Sequence, residues 1–330
     1  MDQSESNAKS AKKNRKDSQR KSPLRSLRTT SRPLRFGIVF SVFLLLTTNV
    51  TAQRPSVETV QFQSKLINAT LPYNVILPSD YRAASATRYP VLYLLHGLFG
   101  HYSDWATRTN LADYAAQYRM IIVTPEGNNA WYTDGASAAN DKYESYILKE
   151  LIPDVQKRYR TIEARYGRGI AGLSMGGYGA LKFGLKSPDM FAFVGSLSGA
   201  VSVATLTEED LKNLKAIRDS IFAVFGPVGS ETRKANDIYE ITRGLSAARV
   251  SSLPYIYLDC GTEDFLVTAN QQFAALLREK KIPHEYRELP GEHNWAYWDQ
   301  QVQGVLQIAS QKMRLPKAAA RQKIRPGRKP

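Results

Sequence analysis

The chain has 330 residues, a formal net charge of +15, one cysteine (Cys260) and four histidines. That length holds one large α/β domain or two small ones, and a single cysteine excludes both an internal disulfide framework and a cysteine-rich zinc site. The charge sits at the ends: residues 1–35 and 312–330 each carry a net +8, leaving residues 36–311 at −1. Such ends read as solvated basic tails. No basic stripe with interleaved aromatics runs between them, which argues against nucleic acid as a partner.

The first element is "FGIVFSVFLLL" (36–46), uncharged and mostly apolar, with a basic stretch before it. "TTNVTAQ" follows and places Val50 and Ala52 at the small-residue spacing of a cleavage site. This is the pattern of an export signal cleaved after Ala52, which predicts a secreted or cell-envelope protein. The run is short for a membrane span, which takes about 20 apolar residues. The long basic stretch before it keeps a membrane anchor through residues 36–52 as the alternative. The chain thus divides into a targeting segment (1–52), a globular body (53–311) and a basic tail (312–330).

Within the body, "SVETVQFQS" (56–64) and "ATLPYNVILP" (69–78) read as an opening pair of strands. "YPVLYLLHG" (89–97) and "MIIVTPEG" (120–127) are near-continuous apolar runs, the pattern of strands buried on both faces. Residues 141–159 place Ile147, Leu148, Leu151, Ile152, Val155 and Tyr159 at helical spacing, with a kink expected at Pro153. "RGIAGLS" (168–174) is a strand and "MGGYGALKFGLKS" (175–187) a helix; "FAFVGSLSG" (191–199) is again a strand. Residues 201–247 are more polar and partly helical. "LPYIYLDCG" (253–261) and "PHEYREL" (283–289) are strands, and 266–280 and 295–313 helices. Strands alternating with helices predict an α/β fold, a mostly parallel central sheet flanked by helices on both faces. Ligand sites in such sheets lie beyond the carboxyl ends of the strands.

The chemically suggestive residues fall there. Gly172-Leu173-Ser174-Met175-Gly176 fits G-x-S-x-G between a strand and a helix, where a sharp turn exposes a serine hydroxyl. Serine is a poor nucleophile without a base, and in this chain order the base is a histidine that follows an acid. Only His284 and His293 follow Ser174. His284 lies inside a strand, whereas His293, in the loop "PGEHNW", can reach the serine. Asp259, Glu263 and Asp264 compete for the acid, and Asp264 ranks first because Asp259 is still within the strand run. The backbone N–H groups of Leu98, at the end of "YPVLYLLHG", and of Met175 could hold an oxyanion. His96 and His101 lack a third ligand at zinc spacing, so no metal or cofactor is expected. Trp105, Trp131 and Trp295 are candidate pocket walls, with anchoring of loops to the body the equal alternative for Trp105 and Trp131, and Trp298 is expected to pack.

Four segments, "YPVLYLLHGLFG", "GLSMGGYGA", "CGTEDFL" and "PGEHNWAYW", together resemble the esterase D / antigen 85-type branch of the α/β-hydrolases. That branch includes S-formylglutathione hydrolases, feruloyl and acetyl-xylan esterases, tributyrin esterases and mycolyl-type acyltransferases, and the likeness covers nearly all of residues 55–310. The resemblance implies Ser174 as nucleophile, Asp264 as acid, His293 as base, and Leu98 and Met175 as oxyanion donors. It implies a serine esterase acting on small-molecule or glycan esters, without cofactor. Acyl transfer and thioester hydrolysis use the same three residues and are the alternatives; an export signal counts against the cytosolic formylglutathione enzymes. Residues 201–247 are expected to lie over the nucleophile, with Ile221, Phe222, Val224 and Phe225 either as an apolar wall or packing the insertion onto the sheet. An insertion of that size suits short or compact aromatic acyl groups.

Overall fold

The strand-forming runs pair edge to edge. In the computed structural model, which describes residues 56–313, eight strands form one sheet in the order β1-β2-β4-β3-β5-β6-β7-β8. They are β1 (Val57–Ser64), β2 (Ala69–Ile76), β3 (Val91–Leu95), β4 (Ile121–Pro125), β5 (Arg168–Leu173), β6 (Phe193–Leu197), β7 (Tyr255–Gly261) and β8 (His284–Leu289). β1 and β2 form an antiparallel pair, and β2 meets β4 antiparallel; every other neighbour is parallel. The export signal, its expected cleavage after Ala52, the basic N-terminal stretch and the C-terminal tail beyond Met313 lie outside the described residues.

β3, β4, β5 and β6 are buried along their whole length, as their unbroken apolar runs demand. Alternation divides their side chains between two cores. Val91, Tyr93 and Leu95 face one side, Leu92 and Leu94 the other. Each fully buried leucine or valine contributes roughly 1.5–3 kcal/mol of burial energy. The edge strands differ: β1 alternates exposed and buried positions, and β8 is partly exposed throughout.

The helices are α1 (Asp104–Arg108), α2 (Leu111–Ala115), α3 (Tyr143–Tyr146), α4 (Ile152–Arg158), α5 (Met175–Lys186), α6 (Lys215–Phe225), α7 (Glu231–Asn236), α8 (Ile238–Arg243), α9 (Ala247–Ser252), α10 (Val267–Glu279) and α11 (Trp295–Lys312). α1, α2 and α11 cover one face through Trp105, Leu111, Val302, Val305 and Leu306. α5 and the remaining helices cover the other. The kink expected at Pro153 takes a specific form: a π-helical turn, Ile147–Leu151, lies between α3 and α4. Proline lacks the N–H that would bond residue 149 and its ring crowds that carbonyl. A wider turn before it absorbs the conflict without ending the helix. α1 and α2 are too short to show an apolar repeat and were not legible beforehand. α11 runs past residue 311, and Met313 beyond it is buried against Gly169.

Candidate active site

Ser174 stands between the end of β5 and the start of α5, with φ 52° and ψ −114°. A left-handed φ is costly for any residue but glycine, so the surroundings must enforce it. Ser174 N–H donates to Leu197 O at 2.9 Å, and Ser174 O accepts from Tyr178 N–H and Ala200 N–H, both at 3.0 Å. The flanking glycines explain the motif. A Cβ on Gly172 would stand 2.6 Å from the Gly176 backbone, and one on Gly176 2.6 Å from Leu95 O. Strand, turn and helix touch backbone to backbone here.

His293, in the loop between β8 and α11, brings Nε2 to 3.0 Å from Ser174 Oγ. Its Nδ1–H donates to Asp264 Oδ2 at 2.8 Å. Asp264 is buried and its Oδ1 accepts Leu266 N–H at 2.8 Å. Burial alone would raise this carboxyl, but the bonds from His293 and Leu266 N–H outweigh it and hold the group below its ordinary value. The other two acids do different work. Glu263 Oε2 accepts Gly291 N–H at 2.6 Å and so shapes the loop that carries His293. Asp259 points into the opposite core, where Tyr297 OH donates to Oδ1 at 3.0 Å. Its Oδ2 is buried without a partner among the described residues, and burial pushes the carboxyl up to about 7.

The imidazole is held by aromatics on two sides. Trp298 meets it edge-on at 4.9 Å and donates Nε1–H to Ser198 Oγ at 3.2 Å. Phe265, 77% exposed, lies tilted over it at 4.6 Å. His284 stays in β8, its Nδ1 2.8 Å from Ile282 O. His96 is buried and bonds backbone groups, whereas His101 is exposed. Among the described residues no cluster of His, Cys, Asp and Glu could hold a metal ion.

Two cavities meet at Ser174 and His293. One, of about 360 Å³, is lined by Gly97, Leu98, Asp104, Arg108, Trp295 and Trp298 among others. The other, of about 260 Å³, is almost wholly apolar, walled by Leu98, Trp131, Val203, Leu206, Leu211 and Ile221. Leu98 borders both. The N–H groups of Leu98 and Met175 have no acceptor among the described residues.

The expected walls are thus partly corrected. Trp295 and Trp131 line cavities, but Trp105 lines neither; it is fully buried, donates Nε1–H to Leu95 O at 3.0 Å, and supports Trp295 edge-on at 5.5 Å. Of the apolar run in α6 only Ile221 faces the site. Phe225 and Val224 are core residues, and Phe222 packs under the Arg233 guanidinium at 4.6 Å. Val224 and Phe225 share Ile221's face but stand one turn further along the helix, past the cavity that Leu214, Ile217 and Ile221 line, whereas Phe222 falls on another face. Sequence reasoning missed Phe265, Leu206, Leu211 and Lys182. The signal for Lys182 was a lysine inside "GYGALKFGL", a helix apolar all round and therefore buried all round.

A mostly parallel sheet with this turn and this hydrogen-bonded chain beyond its carboxyl edge makes the protein an α/β-hydrolase. A solved ferulic acid esterase is 30% identical, with a TM-score of 0.68 over 78% of this chain and 99% of that one. The fluorophosphonate-binding serine hydrolase F of Staphylococcus aureus is 26% identical, with a TM-score of 0.69 over 78% of this chain. At 18% identity, MPT51 of Mycobacterium tuberculosis shares the fold. More narrowly, the chain belongs to the esterase family described as "Putative esterase", whose model matches residues 64–307. An acetyl esterase of Caldicellulosiruptor saccharolyticus is 29% identical over 76% of this chain and 97% of its own length. Esterase Rv1288 of Mycobacterium tuberculosis is 33% identical over 71% of this chain, which spans only 54% of that protein.

Proposed function

We propose that the protein is an exported serine carboxylic-ester hydrolase for short or compact aromatic acyl groups. The hydrogen-bonded line Ser174–His293–Asp264, with steps of 3.0 and 2.8 Å, carries this reading. Ser174 Oγ attacks the ester carbonyl while His293 Nε2 takes its proton, and Asp264 holds the tautomer and faces the imidazolium that forms. The N–H groups of Leu98 and Met175 receive the oxyanion. His293 returns its proton to the leaving alcohol, and a water then cleaves the acyl-enzyme by the same route in reverse.

The two cavities divide the substrate. The acyl group enters the apolar one, whose 260 Å³ suits acetyl to butyryl or a phenylpropenoyl group and falls far short of a palmitoyl chain. The alcohol lies in the other, where the Trp295 face and the Asp104–Arg108 pair offer stacking and hydrogen bonds to a sugar or small polar alcohol. The acetyl and ferulic acid esterases among the similar proteins agree with this acyl range. The apolar run at 36–46 and the Val50-x-Ala52 pattern support export with a mature start at Gln53. N-terminal sequencing from the native host tests that start.

The test of the chemistry is a panel of p-nitrophenyl, acetyl-sugar, feruloyl and thiol esters, with fluorophosphonate labelling. Turnover of acetyl or feruloyl esters, with labelling lost in Ser174→Ala, is the expected result. Undiminished hydrolysis by Ser174→Ala would refute the reading.

A further inference from the structure

Lys182, in the middle of α5, is completely buried. Its Nζ donates to Tyr132 O at 2.7 Å and Thr133 Oγ1 at 2.6 Å, and pairs with Glu144 Oε2 at 2.9 Å. Lys186, one turn on, holds the other Glu144 oxygen at 2.8 Å. A buried ammonium is costly even when paired, and an apolar side chain would fill the same space without that cost. What the lysine adds is a grip on the backbone of residues 132–133.

That backbone is held in an unfavourable shape. Trp131 and Tyr132 have φ of 53° and 50°, the left-handed region that bulky residues avoid. Tyr132 is buried with its ring against Gly179 of α5, where an added Cβ would come within 2.8 Å of it. Its hydroxyl donates to His96 O at 3.1 Å. His96 Nδ1–H in turn donates to Gly97 O at 2.7 Å, while its Nε2 accepts Gly127 N–H at 2.9 Å. The Gly97 carbonyl and the Leu98 N–H belong to one planar trans peptide and point in opposite directions. Fixing the carbonyl therefore aims the N–H.

We propose that Lys182, acting through Tyr132 and His96, is a positioning residue that holds the Leu98 N–H in register with Ser174. This rests on the reading of Leu98 N–H as an oxyanion donor. α5 then sets both donors. The Met175 N–H is its own first residue, and the Leu98 N–H is reached through a side chain two turns further along. The same grip fixes Trp131 in the apolar cavity.

Tyr132→Phe removes one hydroxyl and leaves the ring in place; Lys182→Met removes the grip itself. The measurements are kcat and KM on p-nitrophenyl acetate, Ki for a trifluoromethyl ketone that adds to Ser174 as an oxyanion, and Tm. Loss of a whole oxyanion donor lowers kcat about 10²–10³-fold, so misaiming one is expected to lower it roughly tenfold. KM stays within about twofold, and Ki for the ketone rises by the same factor that kcat falls. A lowered Tm with kcat and Ki unchanged in Tyr132→Phe would overturn the proposal, and that variant decides alone if Lys182→Met does not fold. Ser174→Ala separates the two readings. If it still hydrolyses ester, the underlying site assignment fails. If it is dead while Tyr132→Phe is normal, only the positioning role fails.

Discussion

Asparagine at position 264 isolates what the buried carboxylate does. Asp264 Oδ1 accepts Leu266 N–H and Oδ2 accepts His293 Nδ1–H, each at 2.8 Å. An asparagine has one oxygen for these two donors. If it stays on Leu266, the amide NH₂ faces Nδ1, and the ring proton moves to Nε2. There it points at Ser174 Oγ and the base has no lone pair to offer. If the amide turns over, its NH₂ meets the Leu266 N–H, and orphaning that buried donor costs about 1–3 kcal/mol. At 1.4 kcal/mol per decade this leaves the productive tautomer scarcer by a factor of roughly 5–150. The imidazolium also loses a charge-assisted bond worth about 1.5–3 kcal/mol. Together these amount to about 2.5–6 kcal/mol, or a fall in kcat of about 10²–10⁴. Steady-state kinetics on p-nitrophenyl acetate measure this, with circular dichroism to confirm folding. KM is expected to change less than about threefold, because the acid touches no substrate. An Asp264→Asn enzyme that keeps more than a tenth of wild-type kcat would refute the reasoning, as would a crippled Asp259→Asn beside it.

Asp259→Asn is instead expected to show itself in stability. The carboxyl's folded value of about 7 lies above its unfolded value of about 3.9, so the native state binds more protons between those limits. Stability therefore falls as pH rises through that window, by a total of order 4 kcal/mol. The variant, which does not ionise, is expected to gain in Tm over wild type at pH 8 and roughly a third as much at pH 5; equal gains at both would refute this. Gly176→Ala puts a methyl 2.6 Å from Leu95 O and 2.7 Å from His96 O, so it is expected to fold poorly or to lose more than about 3 kcal/mol in urea unfolding. Across an acyl series from acetyl to palmitoyl, kcat/KM is expected to peak at or below butyryl, and Leu206→Trp is expected to lower the butyryl value more than the acetyl one. A palmitoyl optimum would point to a lipase.

The sheet was legible because β3 to β7 are buried on both faces and so read as apolar runs or strand–helix alternation. The turn at Ser174 was legible because Gly172 and Gly176 stand where no Cβ fits. His293 followed from elimination, and Asp264 from its place just past β7. What stayed hidden depends on which way a side chain turns. Trp105 and Trp131 look alike in the sequence, yet one hangs from Leu95 O and the other lines a cavity. In α6 Val224 and Phe225 share Ile221's face and differ only in standing a turn beyond the cavity, while Phe222 falls on another face. Phe265 gave no sign because a lone exposed aromatic in a loop has no periodicity to betray it.

Eight non-glycine residues among those described have left-handed backbones, and six of them, Phe99, Asn128, Trp131, Tyr132, Ser174 and Ser198, lie in the turns that leave β3, β4, β5 and β6 toward the site. At about 1–2 kcal/mol apiece, the chain carries a strain comparable to the whole net stability of an ordinary domain, nearly all of it at one edge. Heat tolerance and catalytic order thus draw on the same few peptides. A breeder selecting this enzyme for thermostability alone would be led to glycine at Phe99 or Asn128, and would harvest sturdier molecules with slacker active sites. Robustness without that loss has to come from the far rim of the sheet, where Lys281, just before β8, is the one left-handed non-glycine residue among those described.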